Sequence, residues 1–169
     1  LPEDGILVDE LTQMGYAARL AYPTYKPRTF LSPGYQGTLG WGYATSLGAK
    51  SAEPDTPVVS ISGDGGFLFT AMEMATAAQH GIGVVAVVFS DGAYGNVRRI
   101  QQQAFNNRTI ASDLRNPDFV KLAESFGLDA VRVKSAEELG TAISRGIAKG
   151  GPMLIDCPVG QLPDPWPLV

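Results

Sequence analysis

Several features that define other classes of protein are scarce or missing in this 169-residue sequence. It has one cysteine, Cys157, which excludes an internal disulfide and, lying in an apolar stretch, is expected to pack in the core. No apolar run approaches the ~20 residues that a membrane-spanning helix needs. The net charge of −4 provides no electrostatic basis for binding nucleic acid or an anionic membrane.

The composition is that of an ordinary soluble α/β domain. Hydrophobic residues make up 44% of the chain, charged residues make up 18%, and there are 20 glycines. The length suits one domain with a proper core, so we expect residues 1–169 to form a single domain. No secretory signal is visible, and the first residue is Leu1 rather than Met. We therefore expect a piece of a longer, cytoplasmic protein.

The most informative stretch runs from residue 57 to residue 96. Residues 58–62 predict a short buried strand, and residues 67–80 predict a helix because they contain good helix formers and no breaker. Gly81 is placed to cap that helix, and the β-branched residues 84–89 predict a second strand. This βαβ unit implies two parallel strands joined by a right-handed crossover.

Two acids follow the ends of these strands, Asp64 after the first and Asp91 after the second. Parallel strands end at the same edge of a sheet, so the two carboxylates are expected to lie close together, where open α/β sheets bind ligands. Between them, Gly65, Gly66 and Phe67 offer backbone N–H groups at a helix N-terminus, which suits a phosphate.

A dinucleotide is the obvious rival ligand for a glycine-rich turn after a strand. The third glycine of the dinucleotide-binding fingerprint is replaced here by Leu68, and the Asp64 carboxylate would repel a bare pyrophosphate. A divalent cation between the two would turn repulsion into attraction, and Mg²⁺ is commonly held by one or two carboxylates together with ligand phosphates. The residues therefore favour a metal–diphosphate site over a metal-free dinucleotide site.

The same residues carry a family resemblance. Residues 63–65 read Gly-Asp-Gly, and Ser90-Asp91 stands 27 positions after Asp64 (91 − 64), followed by Gly-Ala-Tyr-Gly at 92–95. The chain thus resembles the diphosphate-binding, often C-terminal, domain of thiamine-diphosphate-dependent enzymes. It is most similar to the acetolactate synthase-like, decarboxylase and carboligase branch. Ser90-Asp91 departs from the usual Asn-Asn pair; Asp91 keeps an oxygen donor, whereas Ser90 changes the local hydrogen bonding.

The resemblance implies a three-layer α/β/α fold with a mostly parallel central sheet, and thiamine diphosphate and Mg²⁺ as cofactors. It implies that Asp64, Asp91 and the carbonyl of Ala93 bind Mg²⁺. It also implies that Leu39 is the apolar wedge that bends the cofactor, and that Gly37 offers its carbonyl to the pyrimidine amine. The other implied cofactor contacts are Gly63, Gly65, Gly66, Tyr94, Gly95 and Asn96.

Three further pairs of residues carry open alternatives. Thr12 and Gln13 either contact the cofactor or simply begin a helix. Arg98 and Arg99 lie at the mouth of the site or make surface contacts, and surface contacts are favoured. The acidic residues Asp9 and Glu10 either have a role in the site or, equally well, form a solvated strand end.

The remaining elements are predicted more coarsely. We expect strands at 6–9, 129–133 and 153–157, helices at 12–21, 94–103, 117–126 and 135–148, a loop at 22–35, an irregular segment at 104–116 and an extended tail at 158–169.

The resemblance implies part of an enzyme that acts on 2-oxo acids by decarboxylation or carboligation. In that family an activating glutamate lies on a separate pyrimidine-binding domain, from the same or a neighbouring subunit of a homodimer or homotetramer. We expect no catalytic residue in this chain and negligible activity from it alone. The alternatives are a non-catalytic nucleotide- or flavin-binding module of Rossmann or flavodoxin type, and a degenerate family member retained for assembly.

Overall fold

Two apolar strands form the centre of the sheet. The computed structural model of the chain describes residues 1–160. Strands β3 (Val58–Gly63) and β4 (Val84–Ser90) pair in parallel, with Val58 opposite Val84 and Gly63 opposite Phe89. Most of their residues are buried, as expected for parallel strands covered on both faces. Their common polarity confirms the predicted parallel pair.

Four further strands complete a parallel sheet of six within residues 1–160. They are β1 (Ile6–Val8), β2 (Phe30–Leu31), β5 (Asp129–Arg132) and β6 (Met153–Pro158). The spatial order is β2-β1-β3-β4-β6-β5. The helices are α1 (Gln13–Ala21), α2 (Trp41–Ala52), α3 (Asp64–Leu68), α4 (Met74–His80), α5 (Gly95–Ala104), α6 (Phe119–Ser125) and α7 (Ala136–Lys149), with a 3₁₀ turn at Ala71–Glu73.

Alternate side chains of the strands face two separate hydrophobic layers. On β4, Val84 and Val88 face the core formed with α2, α3, α4 and α6. Val85 and Val87 face the core formed with α1 and α7, and Cys157 is buried in that layer as expected. The predicted three-layer α/β/α architecture with a parallel sheet is confirmed.

The predicted single helix at 67–80 is wrong. The helical conformation begins earlier, at Asp64, and is interrupted at Phe69–Thr70 before the 3₁₀ turn and α4. The Thr70 hydroxyl donates to the Gly40 carbonyl at 3.1 Å, a long-range contact that local helix propensity does not report. The cap was predicted correctly, since Gly81 follows α4 with a φ of +60°.

The predicted loop at 22–35 contains β2, which pairs with β1 in parallel. Two residues are too few to show strand periodicity, so this strand could not be predicted from the sequence pattern. The other predicted elements lie within two residues of their observed bounds. Residues 161–169 of the predicted tail lie outside the described residues. No helix in residues 1–160 is long and apolar enough to span a membrane.

The order of the strands creates a crevice between β1 and β3. Helix α1, which follows β1, packs on one face of the sheet through Met14 and Ala18. Helices α3 and α4, which follow β3, pack on the other face through Phe67 and Met74. Chain segments leaving neighbouring strand ends in opposite directions define the switch point at which open α/β sheets bind ligands.

Candidate functional site

A cavity of about 210 Å³ lies at this crevice. Its walls come from the segments that follow β1, β3 and β4, together with Leu39 from the turn before α2. Asp64 and Asp91 both line it, so the predicted convergence of the two acids at one sheet edge is confirmed. Its lining residues are Leu11, Thr12, Gln13, Tyr16, Leu39, Gly63, Asp64, Gly65, Gly66, Phe89, Asp91, Ala93, Tyr94, Gly95, Asn96, Val97 and Val159.

Asp64 is buried and held by three hydrogen bonds. Its Oδ1 accepts the N–H of Gly65 at 2.8 Å. Its Oδ2 accepts the N–H of Gly92 at 2.8 Å and the Asn116 side-chain amide at 2.6 Å. Because Oδ2 carries two of the three bonds, Oδ1 retains the greater free acceptor capacity for a cation.

Asp91 is held less tightly and lies in the electric field of Asp64. Its Oδ1 accepts the N–H of Ala93 at 3.1 Å. Burial raises the pKa of Asp91, and the negative charge of Asp64 raises that pKa further. Two partly buried carboxylates that repel one another are an arrangement that a bound divalent cation would relieve.

The donor set fits Mg²⁺ only if the ligand shares in its coordination. Within residues 1–160 there is no cluster of three or more Asp, Glu, His or Cys side chains arranged for a metal ion. Two carboxylates and the Ala93 carbonyl leave several positions of an octahedral shell for phosphate oxygens and water. Such coordination, with few protein ligands, is typical of Mg²⁺ and differs from that of a metal held entirely by protein ligands.

The glycines of the site leave no room for side chains. A Cβ added at Gly65 would lie 2.5 Å from the Tyr94 ring. A Cβ added at Gly95 would lie 2.7 Å from Asp91 Oδ2. The turn at Gly65 and the start of α5 therefore approach each other as closely as backbone allows.

The cavity gathers almost all of the residues that were predicted to contact the cofactor. Gly37 is the exception, because it is not among the lining residues and lies instead against Leu11, with a φ of +58°. Thr12 and Gln13 both line the cavity, and the Thr12 side chain makes no capping hydrogen bond to α1. This favours the ligand-contact interpretation of Thr12 over a plain helix start.

The expectation of a solvated strand end at Asp9 and Glu10 is wrong, because both residues are fully buried. Asp9 Oδ2 accepts the Arg19 Nε–H at 2.7 Å, and Glu10 Oε1 accepts the N–H of Gly40. Burial raises the pKa of both carboxyl groups. Glu10 lies behind the cavity wall, where a Cβ added at Gly66 would collide with it.

The preference for surface contacts is wrong for Arg99 as well. Arg99 is 5% exposed and donates to the Gln13 side-chain oxygen, which places its charge behind a cavity-lining residue. Arg98 pairs with the exposed Asp113 at 3.1 Å, in keeping with the predicted surface role. Successive helical positions point in different directions, so the two arginines could not share one role.

Sequence reasoning also missed Asn116 and Asp156. Asn116 is predicted only as the last residue of the irregular segment 104–116, yet its side-chain amide donates to Asp64 Oδ2. Asp156 interrupts the apolar strand β6 and accepts the Ser90 hydroxyl at 2.7 Å. A lone acid inside a buried strand was the signal available for Asp156; its partner Ser90 lies 66 positions earlier.

A larger cavity of about 730 Å³ lies at the opposite edge of the sheet. Its lining includes Lys50, Val58, His80 and Gly83, near the amino ends of β3 and β4. None of the predicted ligand-contacting residues lines it. His80 is the last residue of α4.

The chain is similar to a known family and to named proteins. Residues 11–157 match the family described as thiamine pyrophosphate enzyme, C-terminal TPP binding domain. An acetolactate synthase from Bacillus subtilis is 41% identical over 138 residues, covering 82% of this chain and 24% of that protein. A probable acetolactate synthase large subunit from Methanococcus aeolicus is 39% identical over 136 residues, covering 80% of this chain and 23% of that protein.

A solved structure is also similar. The thiamine diphosphate-dependent 4-hydroxybenzoylformate decarboxylase of Rhodococcus jostii RHA1 superposes with a TM-score of 0.87 at 31% identity, covering 94% of this chain and 30% of that one. This chain therefore spans about a quarter of the length of the curated relatives it matches. Since the family match covers most of the chain, the protein belongs to the C-terminal thiamine-diphosphate-binding domain family of thiamine-diphosphate enzymes.

Proposed function

We propose that residues 1–169 form one domain of a longer thiamine-diphosphate enzyme, in which it binds the diphosphate through Mg²⁺. The observation that carries this proposal is the pairing of Asp64 and Asp91 beside the Gly65 turn in one cavity. Asp64, Asp91 and the Ala93 carbonyl are the proposed metal ligands. The N–H groups of the glycine turn and the side chains of Thr12, Gln13 and Asn96 are proposed to face the diphosphate.

The same proposal assigns the pyrimidine end of the cofactor to the other side of the cavity. Leu39 lines the cavity and is proposed as the apolar wedge, and the Gly37 carbonyl is proposed to accept the pyrimidine amine. The second assignment requires the turn at Gly37 to face the cofactor in the assembled enzyme, because Gly37 does not line the cavity in this chain.

A second domain is needed to complete the site. Asp64 and Asp91 are the only acids that line the cavity within residues 1–160, and both are assigned to the metal. The activating glutamate is therefore proposed to come from a pyrimidine-binding domain of the same or a neighbouring subunit. Phe69 and Met72 are exposed, and a Cβ added at Gly40, next to Leu39, would lie 2.7 Å from Phe69 Cβ. An exposed apolar side chain thus lies close to the cavity wall, which supports such docking.

The whole enzyme is proposed to act on a 2-oxo acid by decarboxylation or carboligation, as a cytoplasmic homodimer or homotetramer. The support is indirect: the named relatives are acetolactate synthases, and the substrate named for the structural neighbour is itself a 2-oxo acid. The domain alone is proposed to lack turnover, because half of the site lies elsewhere. Sedimentation of the complete protein and assay of cell fractions test assembly and location.

Calorimetry on the complete protein that contains this chain tests the central proposal. Thiamine diphosphate is expected to bind with Mg²⁺ present and to lose its binding when the metal is chelated. Equal binding with and without metal, or metal-independent binding of NAD or FMN, would contradict the proposal. In a degenerate member retained for assembly, Asp64→Ala and Asp91→Ala would leave assembly intact, and the unmodified protein would bind no cofactor.

A further inference from the structure

A chain of hydrogen-bonded side chains lies behind the two proposed metal-binding acids. The Ser90 hydroxyl donates to Asp156 Oδ1 at 2.7 Å, and Arg132 Nε donates to Asp156 Oδ2 at 2.7 Å. Arg132 also donates to Asp118 Oδ1 at 2.9 Å. The network therefore spans β4, β6, β5 and the residue that precedes α6.

Each end of this network lies close in the sequence to Asp91 or to a residue that bonds Asp64. Ser90 is the residue directly before Asp91, at the end of β4. At the other end, Asp118 caps α6 two positions after Asn116, whose side-chain amide donates to Asp64 Oδ2 at 2.6 Å. The Asp156 carboxylate is thus connected through Ser90 to the backbone beside Asp91, and through Arg132 and Asp118 to the segment that holds Asp64.

Asp156 is buried, which distinguishes it from an acid in a surface ion pair. Its side chain is 4% exposed, and it occupies a position on β6 that is flanked by the buried residues Ile155 and Cys157. A buried carboxylate is costly unless its oxygens are paired, and here both are. An apolar residue at this position would avoid that cost, so the acid calls for a role beyond packing.

We propose that Asp156 is a positioning residue for the metal site, which acts on Asp91 through the hydroxyl of Ser90. This inference rests on the proposed function, in which Asp91 is a Mg²⁺ ligand. Ser90 stands where the related motif has the first of two asparagines, and its hydroxyl fixes the end of β4 against β6. Partners that orient a metal ligand typically change metal affinity by about 10–100-fold when they are removed.

The test measures the Mg²⁺ concentration that gives half-maximal thiamine diphosphate binding to the complete protein, by calorimetry. Ser90→Ala removes one oxygen and is expected to raise that concentration about tenfold. Ser90→Thr retains the hydroxyl and is expected to restore it to within about twofold of the unmodified protein. Ser144→Ala is the matched control, because within residues 1–160 the Ser144 hydroxyl bonds only the Gly140 carbonyl of its own helix.

A double-mutant cycle tests whether Asp156 acts through Ser90. Asp156→Asn is expected to raise the Mg²⁺ requirement, and adding Ser90→Ala to it is expected to cause little further change. Independent, multiplying effects would overturn the proposal, as would a lowered melting temperature with an unchanged Mg²⁺ requirement in Ser90→Ala. An unmodified protein with no Mg²⁺-dependent binding would overturn the proposed function and this inference together.

Discussion

The Asp64 carboxylate accepts the backbone N–H of Gly92 at 2.8 Å, so the turn after β4 is tied to the first residue after β3. This bond connects the two halves of the βαβ unit at the edge where the cavity lies. It holds Asp91, the neighbour of Gly92, in a position where burial, and then the charge of Asp64, raises the Asp91 pKa.

Replacing Asp64 with asparagine should abolish Mg²⁺-dependent binding of thiamine diphosphate. The change keeps the size of the side chain but removes its charge, and a direct metal ligand should matter more than the 10–100-fold typical of its supporting partners. Calorimetry would measure the loss. Asp55→Asn is the control, because Asp55 is an exposed acid beside the cavity at the opposite edge. Equal affinities in the two variants would remove Asp64 from the metal site.

Asp91→Asn should raise the melting temperature of the metal-free protein while weakening Mg²⁺ binding. Burial, followed by the repulsion of Asp64, raises the pKa of Asp91, so the ionised form is disfavoured in the folded protein. Asparagine removes that repulsion and keeps an oxygen donor for the metal. Thermal unfolding with and without Mg²⁺ measures both effects. A lower melting temperature in the metal-free variant would contradict this account.

Gly65→Ala should destabilise the fold and remove cofactor binding. Its new Cβ would lie 2.5 Å from the Tyr94 ring and 3.0 Å from Leu114, which should cost about 1–3 kcal/mol of unfolding free energy. Gly48→Ala is the matched control, since Gly48 lies inside α2 with no atom within 4 Å of its added Cβ. That variant should gain about 0.5–1 kcal/mol. Denaturant titration measures both; equal effects would show that the turn tolerates a side chain.

The central unit was predictable from the sequence because its signals are local. The β-branched strands, the Gly81 cap and the acids after each strand all lie within residues 57–96, and parallel pairing then fixes where Asp64 and Asp91 meet. A sequence resemblance extended this to Leu39, the proposed wedge, and Leu39 does line the cavity.

The features that were missed depend on contacts between distant segments. The break at Thr70 follows from its bond to Gly40, and the pairing of Ser90 with Asp156 joins residues 66 positions apart. The sequence near Glu10 is that of a solvated strand end, but in the structure α2 and the turn at Gly65 and Gly66 enclose the Glu10 side chain. Periodicity and propensity describe single segments, so neither could have located these contacts.

Glu10 should make the stability of the protein depend on pH, with the sign set by its burial. Burial raises the pKa of Glu10, so between the ordinary glutamate value of about 4.3 and its raised value the folded state binds more protons than the unfolded state. The contribution of Glu10 to the free energy of unfolding is therefore full below that window and falls as the pH rises through it. Glu10→Gln, which keeps an acceptor for the Gly40 N–H, should flatten this fall. Glu10→Ala should flatten it as well, and should cost about 3 kcal/mol of unfolding free energy at the acid end of the range, where the contribution of Glu10 is full. Denaturant unfolding of the three proteins across pH 4–8 distinguishes these outcomes, and a Glu10→Gln curve parallel to that of the unmodified protein would assign the pH dependence to other groups.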